Sequence, residues 1–446
     1  MTTTNRLLLS LCLLGALACA RETRPSIEDP GLVQLTADLG HARLLAEQPG
    51  EVLARLRIGA GEAQLGERPA LNLALVVDTS GSMDGDPIGD AREATKAILR
   101  MLRADDRVSV TIFHSQTEVV LESTTIGDAD LEAVLARIDA IEARGTTDMA
   151  GGFQAAFNQV VSHRDGVRLD RIVMLGDGVP NDPTNIVPLA QSCASYAIPV
   201  TAIGLGLEYD ELLMGQIAQV SGGRFSHVED PERVAGLFRD EVLRLDRTVA
   251  RNAILQLQPG PGVEVVEVVG QQTPGGSGGL QLQIGDLAMG EQKEIVVRLT
   301  TPARRVGATI EVLDAMLVFQ DAVSEAGTLR RSAYLGLRTT GAAAEVEESR
   351  NAEVHERATD LQAAQATAQA IQMYRAGNVE AAAALLDVAE SVAPGRSESR
   401  RRLRQRMSSD SESTGTGSTA PAAAPAPEME RSIREAYDES LDTMGY

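Results

Sequence analysis

The chain has 446 residues, 43% of them hydrophobic but only 3% aromatic, with no Trp and a formal net charge of -22. That length holds two or three domains with proper cores. The acidic balance excludes nucleic acid as a natural partner, because phosphate repels it, and an Ala/Leu/Val-rich composition suits an α/β fold better than an aromatic-lined binder.

Residues 1–18 read as a signal peptide: a polar start, Arg6 as the first charge, then an apolar run over 7–17 too short to span a bilayer comfortably. Leu17-Ala18-Cys19 resembles a bacterial lipobox, although Ala16 stands where Leu is commoner. This predicts lipidation at Cys19 and tethering to a membrane of the bacterial cell envelope, periplasmic or at the surface. Ordinary secretion with cleavage near Ala18 or Ala20 is the alternative. Of the three cysteines, Cys12 leaves with the signal and Cys19 takes the lipid. Cys193 then has no partner, so no disulfide framework is expected and Cys193 reads as a small buried hydrophobe.

Residues 19–30, with Pro25 and Pro30, read as a linker. Segment 31–65 carries two strand patterns, 32–38 and 51–58, split by Pro49-Gly50. Next comes an alternation of strands and helices. Residues 73–77 are uniformly apolar, as in a strand covered on both faces. Residues 88–102 are helical by periodicity, 107–113 and 118–121 are strands, and 128–141 and 151–161 are helices. Then follow strand 171–175, helix 185–196, strand 199–205, helix 210–220, strand 224–227 and a long helix over 231–245 opened by Asp230 and Pro231. The alternation predicts a mostly parallel, doubly wound sheet.

After Val249 the pattern becomes antiparallel. Residues 253–257, 263–269, 280–284, 293–299, 308–312 and 317–319 are strand-like and broken by Pro/Gly turns, so 250–338 reads as a β-sandwich. The strands of 31–65 have no role in an α/β unit and are expected to complete it, leaving the α/β unit as an insertion. Residues 346–406 are Ala-rich and helical, with two helices joined around Gly377-Asn378. They resemble one tetratricopeptide-like hairpin or, equally, a hairpin packed on the sandwich. Six Arg lie within 396–406, suited to a solvated helix end or to anionic lipid. Residues 408–427 are disordered by composition. Residues 428–446 contain an amphipathic stretch, 429–441, able to dock a partner or nothing.

Three segments carry the chemistry. The apolar strand 73–77 ends at Asp78 in "DTSGS", the strand 171–175 ends in Gly176-Asp177-Gly178, and "RGTTDMAGG" at 144–152 precedes a helix. Ligand sites of open α/β sheets lie beyond the carboxyl ends of the strands, so two carboxylates and several hydroxyls can converge there. Alone, "DTSGS" is a turn with capping hydroxyls. Together the three segments resemble the metal-ion-dependent adhesion site of von Willebrand factor type A domains. Asp78, Ser80 and Ser82 match the D-x-S-x-S motif, Thr147 the hydroxyl before a helix and Asp177 the second carboxylate. Met83, Gly152, "VTAIGLG" (200–206) and "SGGRFSHVEDPERVAGLF" (221–238) add to the likeness, which covers 70–246. Two departures stand: Gly176 replaces a common Thr, and Thr146 offers a hydroxyl one residue early.

The resemblance implies a metal held by Asp78, Ser80, Ser82, Thr147 and Asp177. Hydroxyl and carboxylate oxygens are hard ligands that favour Mg²⁺ or Mn²⁺ over zinc. Two carboxylates roughly neutralise the ion, which leaves it attractive to an acidic residue of a protein partner. The resemblance also implies a shift of the last helix on binding. Asp84 and Asp86 suggest a second cation site or plain solvation. A haloacid-type phosphatase would want an Asp where Ser80 stands, and no P-loop sequence exists. The five His show no zinc-type spacing, and no base sits beside a nucleophile in the sequence. No catalytic residue is assigned and the chain reads as a non-enzyme. The leading expectation is an envelope-tethered module gripping a partner carboxylate through Mg²⁺. The alternatives are an adaptor of an AAA+ ATPase assembly or metal-insertion machine, and a scaffold whose sandwich and helical tail do the binding.

Overall fold

The computed structural model describes residues 29–63, 68–176, 179–205, 211–228, 236–237, 239–240, 244–245, 247–271, 276–324, 326–413 and 427–445. Residues 1–28, with the expected signal and Cys19, lie outside them, as do Asp177 and most of the expected helix 231–245.

The chain begins in a β-layer with β1 (Val33–Leu39), β2 (Arg43–Leu45) and β3 (Gly50–Ala60). It then leaves for an α/β unit: β4 (Leu71–Asp78), α1 (Asp86–Met101), β5 (Arg107–Phe113), β6 (Thr117–Thr125), α2 (Leu131–Asp139), α3 (Met149–Ser162), β7 (Leu169–Gly176), α4 (Ile186–Ser195), β8 (Val200–Leu205), α5 (Glu211–Ser221) and β9 (Phe225–Val228). The sheet order is β6-β5-β4-β7-β8-β9, parallel except for β6, which runs antiparallel to β5. Every residue of β4 and β7 is buried. The reason is visible in β4, whose side chains alternate between two faces. Ala74 and Val76 join a core with α3, α4 and α5, while Leu73, Leu75 and Val77 join one with α1 and α2.

At β10 (Thr248–Pro259) the chain re-enters the β-layer and continues through β11 (Glu264–Val268), β12 (Leu280–Ala288), β13 (Gln292–Thr301), β14 (Thr309–Asp321) and β15 (Thr328–Thr340). One sheet has the order β1-β3-β13-β11 and the other β12-β10-β14-β15-β2. Strands from before and after the α/β unit therefore share both sheets, around a common core that includes Leu56, Ile58, Leu255, Val297 and Leu317. Two strand patterns read separately in the sequence, 308–312 and 317–319, form one strand, β14. β15 was not anticipated, because its Arg-rich outward positions dilute the apolar signal.

Among the described residues five helices follow: α6 (Ala343–Glu348), α7 (Ala352–Arg375), α8 (Val379–Val392), α9 (Glu398–Ser413) and α10 (Pro427–Met444). Asn351 and Asn378 cap α7 and α8 by accepting the N–H of Val354 and Ala381. On the sandwich side, Ala358 and Leu361 of α7 pack on Val269 and Val296. On the other side, Ile371 of α7, Leu386 of α8, Leu403 of α9 and Ile433, Tyr437 and Leu441 of α10 join the α/β core. The amphipathic stretch read as a docking element for a partner is thus docked on its own chain. The Arg cluster is also spent internally. Arg396 pairs with Asp360 at 2.8 Å, Arg402 with Glu435 at 3.2 Å, Arg406 with Glu428 at 3.0 Å, and Arg404 with Asp387. Residues 408–413, expected to be disordered, extend α9. Among the described residues, no helix is long and apolar enough to cross a membrane.

Candidate metal centre

In the sheet, β4 has β5 on one side and β7 on the other. The connections leaving β4 and β7 run to opposite sides of the sheet, to β5 and β8, which makes the carboxyl ends of this pair the topological switch point. Asp78 occupies that end of β4. It is 0% exposed, and one carboxylate oxygen accepts the Ser80 N–H at 2.8 Å, an Asx turn that folds the chain back at once. The Ser80 and Ser82 hydroxyls lie 3.0 Å apart. Ser80 is buried and Ser82 exposed, so one hydroxyl lies within the fold and the other at its surface.

The loop carrying Thr147 is tied to this turn by its backbone. Arg144 N–H donates to Thr79 O at 2.8 Å, Gly81 N–H to Gly145 O at 3.1 Å, and Asp148 N–H to His114 O at 2.8 Å. Thr147 is buried and Thr146 exposed. Glycines make the close approach possible. Gly145 sits at φ +73°, and a Cβ there would stand 2.4 Å from the Ser115 hydroxyl. A Cβ on Gly152 would meet Phe113 at 2.5 Å, so α3 can lie against β5 only without one. Asp148 caps α3 by accepting the Gly151 N–H at 3.0 Å. On the third side, Gly176 ends β7 where a Cβ would be 3.2 Å from that of Asp78. The position taken by Thr in many similar domains is here in tight contact with the first carboxylate. Asp177 follows it, outside the described residues.

A residue that sequence reasoning passed over supports this loop. His114 is buried beneath it. Its Nδ1 lies 3.1 Å from Gln116 N and its Nε2 3.0 Å from Arg144 Nε; the neutral ring, with one lone pair, accepts from one of these donors. Burial, then the charge of Arg144, push its pKa below the usual imidazole value, with Glu118 opposing. No motif in the sequence flags His114; only the fold brings residues 114 and 144 together.

Asp78, Ser80, Ser82 and Thr147 are an all-oxygen donor set, carboxylate and hydroxyl, and that chemistry fits a small hard divalent cation. Among the described residues no group of three or more His, Cys, Asp or Glu gathers that could hold a metal ion. Asp84 and Asp86 are exposed. Asp86 stands in the first turn of α1, where a negative charge complements the helix N-terminus.

The family model for the von Willebrand factor type A domain matches residues 72–240. An uncharacterised protein of Synechocystis sp. is 26% identical over 257 residues, 55% of this chain and 60% of its own length. The uncharacterised protein YfbK of Escherichia coli is 26% identical over 215 residues, 47% of this chain and 37% of its own length. The chain therefore matches less than two thirds of either relative. A solved structure, the von Willebrand factor type A protein from Catenulispora acidiphila, superposes with a TM-score of 0.69 at 17% identity, covering 91% of this chain and 96% of that one. The likeness runs through the sandwich and helices as well as the α/β unit. Residues 72–240 are a von Willebrand factor type A domain.

Proposed function

We propose that this chain is a non-catalytic binding module that holds Mg²⁺ or Mn²⁺ at Asp78, Ser80, Ser82, Thr147 and Asp177 and grips an acidic residue of a protein partner through the ion. What supports the reading is the Asp78 turn at the switch point of the sheet, with its Ser80 and Ser82 hydroxyls 3.0 Å apart and its backbone tied to the loop that carries Thr147. A cation held by neutral hydroxyls keeps much of its charge, so it acts as a Lewis acid toward an incoming carboxylate. The reading includes a lipid anchor at Cys19 and a place in the bacterial cell envelope. It rests there on the leader pattern in the sequence.

The test separates metal from partner. Mn²⁺ binding to the full chain, followed by electron paramagnetic resonance, is expected to be lost in Asp78→Ala while circular dichroism and thermal unfolding remain those of a folded protein. Pull-down from envelope extract is expected to need Mg²⁺ and to fail with EDTA or Asp78→Ala. Retention of both activities in Asp78→Ala refutes the reading. Metal-independent partner contacts mapped only to 250–446 favour the scaffold reading in its place.

A further inference from the structure

Two imidazoles from distant parts of the sequence meet beside the sandwich. His41 follows β1, and His355 lies in the first turn of α7. Their rings pack edge to face, with centroids 4.7 Å apart and planes at 77°. His355 Nε2 is 3.3 Å from His41 Nδ1 and 3.1 Å from the carbonyl oxygen of Gly40. The approach is built in. A Cβ on Gly40 would stand 3.0 Å from that Nε2, so only glycine leaves the ring its place without a shift. The backbone around the pair is also fixed. His41 bridges to Arg350, and Asn351 N–H donates to Gly40 O at 2.8 Å.

The separation of the two nitrogens is informative. A good hydrogen bond from an N–H donor is about 2.9–3.0 Å long, so this contact is long for one. Zinc binds imidazole nitrogen at about 2.0–2.1 Å in tetrahedral geometry, which sets two such nitrogens about 3.3–3.4 Å apart. Burial holds both rings below the usual imidazole pKa. Arg350 adds to this and Glu347 opposes it at both rings; at His355, His41 lowers it further while the hydrogen bond to Gly40 O opposes. Both rings are therefore neutral at neutral pH, the form that binds metals. Without metal, the Gly40 carbonyl accepts both Asn351 N–H at 2.8 Å and His355 Nε2–H at 3.1 Å; metal uptake exchanges the second bond for coordination, with the ring proton held on Nδ1 instead.

We propose that His41 Nδ1, His355 Nε2 and the Gly40 carbonyl bind a late first-row divalent cation, zinc foremost, with water completing the shell. The ion clips the start of α7 to the end of β1. Imidazole selects a softer metal than the hydroxyl–carboxylate cup around Asp78, so the two sites are chemically distinct and this one does not depend on the other.

The experiment uses metal-stripped full-length protein and zinc itself. Calorimetric titration and thermal unfolding are expected to show zinc uptake and a zinc-dependent rise in the midpoint, both lost in His41→Gln and in His355→Gln and retained in Asp78→Ala. Gln keeps polar character at each position without an imidazole ligand, so folding is preserved. Cu²⁺ as a probe is expected to show hyperfine coupling to imidazole nitrogen in the wild type and not in the variants. If wild type takes up no more zinc than His41→Gln, the proposal fails. It fails equally if both variants lower the midpoint by the same amount with and without zinc, because the pair is then only a hydrogen bond.

Discussion

At the scale of single residues, burial decides what each charged group can do. Asp106 is the clearest case. Both oxygens take Arg68 in a fork, at 2.8 and 2.7 Å, while one also accepts Leu71 N–H and the other Arg103 N–H, each at 2.7 Å. The carboxylate thereby pins the entry to β4, at the opposite end of the strand from Asp78. Burial alone would raise its pKa, but Arg68 and the two backbone donors outweigh burial and hold it below the usual carboxylate value. Asp106→Ala takes the carboxylate from a buried guanidinium and is expected to cost about 3–5 kcal/mol in denaturant unfolding. The sign of the pH effect follows from linkage. The folded pKa is depressed, so the stabilisation is present above the unfolded value of 3.8 and fades as pH falls through the folded one. Stability of the variant is therefore expected to respond less to acid than that of wild type. Cys193 illustrates the other outcome. It is fully buried in α4 with its thiol pushed up to about 12, and it serves as the packing atom the sequence suggested.

At the scale of elements, what could be read beforehand depended on how much of the pattern is local. β4 and β7 are legible because a strand buried on both faces is apolar throughout, and the cup because its motif residues sit at fixed offsets from those strands. β15 was illegible because only every second residue is buried, and Arg330, Arg331 and Arg338 interrupt the run. α10 was legible as an amphipathic helix, but its partner was not. The groove it fills is made by α5 and α7, which the sequence places far away. There Tyr437 packs edge-on to Phe225 at 6.3 Å, and Gly215 leaves room for its hydroxyl, since a Cβ would be 2.8 Å away. Ile433 is 0% exposed in the same contact. Ile433→Ala is expected to destabilise the protein by about 2–5 kcal/mol in denaturant unfolding. A loss within a few tenths of a kcal/mol would show that the helix contributes little to the core.

At the scale of the molecule, the three units behave as one packed body. Arg171, at the start of β7, pairs with Asp286 of β12, and both side chains are buried. Asp286 also accepts the Asn252 N–H at 3.0 Å, where Asn252 sits at φ +51°. No pattern in the sequence announces this pair, because an ion pair between domains has no periodicity. The insertion of the α/β unit was suggested by a plain count: two strands before residue 60 had no place in an α/β sheet.

That topology has a consequence for proteolysis. Each sheet of the sandwich contains strands from both sides of the α/β unit: β1 and β3 with β13, which pairs with β3, and β2 beside β15. A single cut between residues 61 and 247 severs the chain but separates no layer, since the two pieces remain woven through both sheets. Limited digestion that nicks this interval is expected to give two bands on a denaturing gel and one undivided peak in gel filtration. Fragments that elute apart would mean that the strands exchange far more readily than their shared core implies.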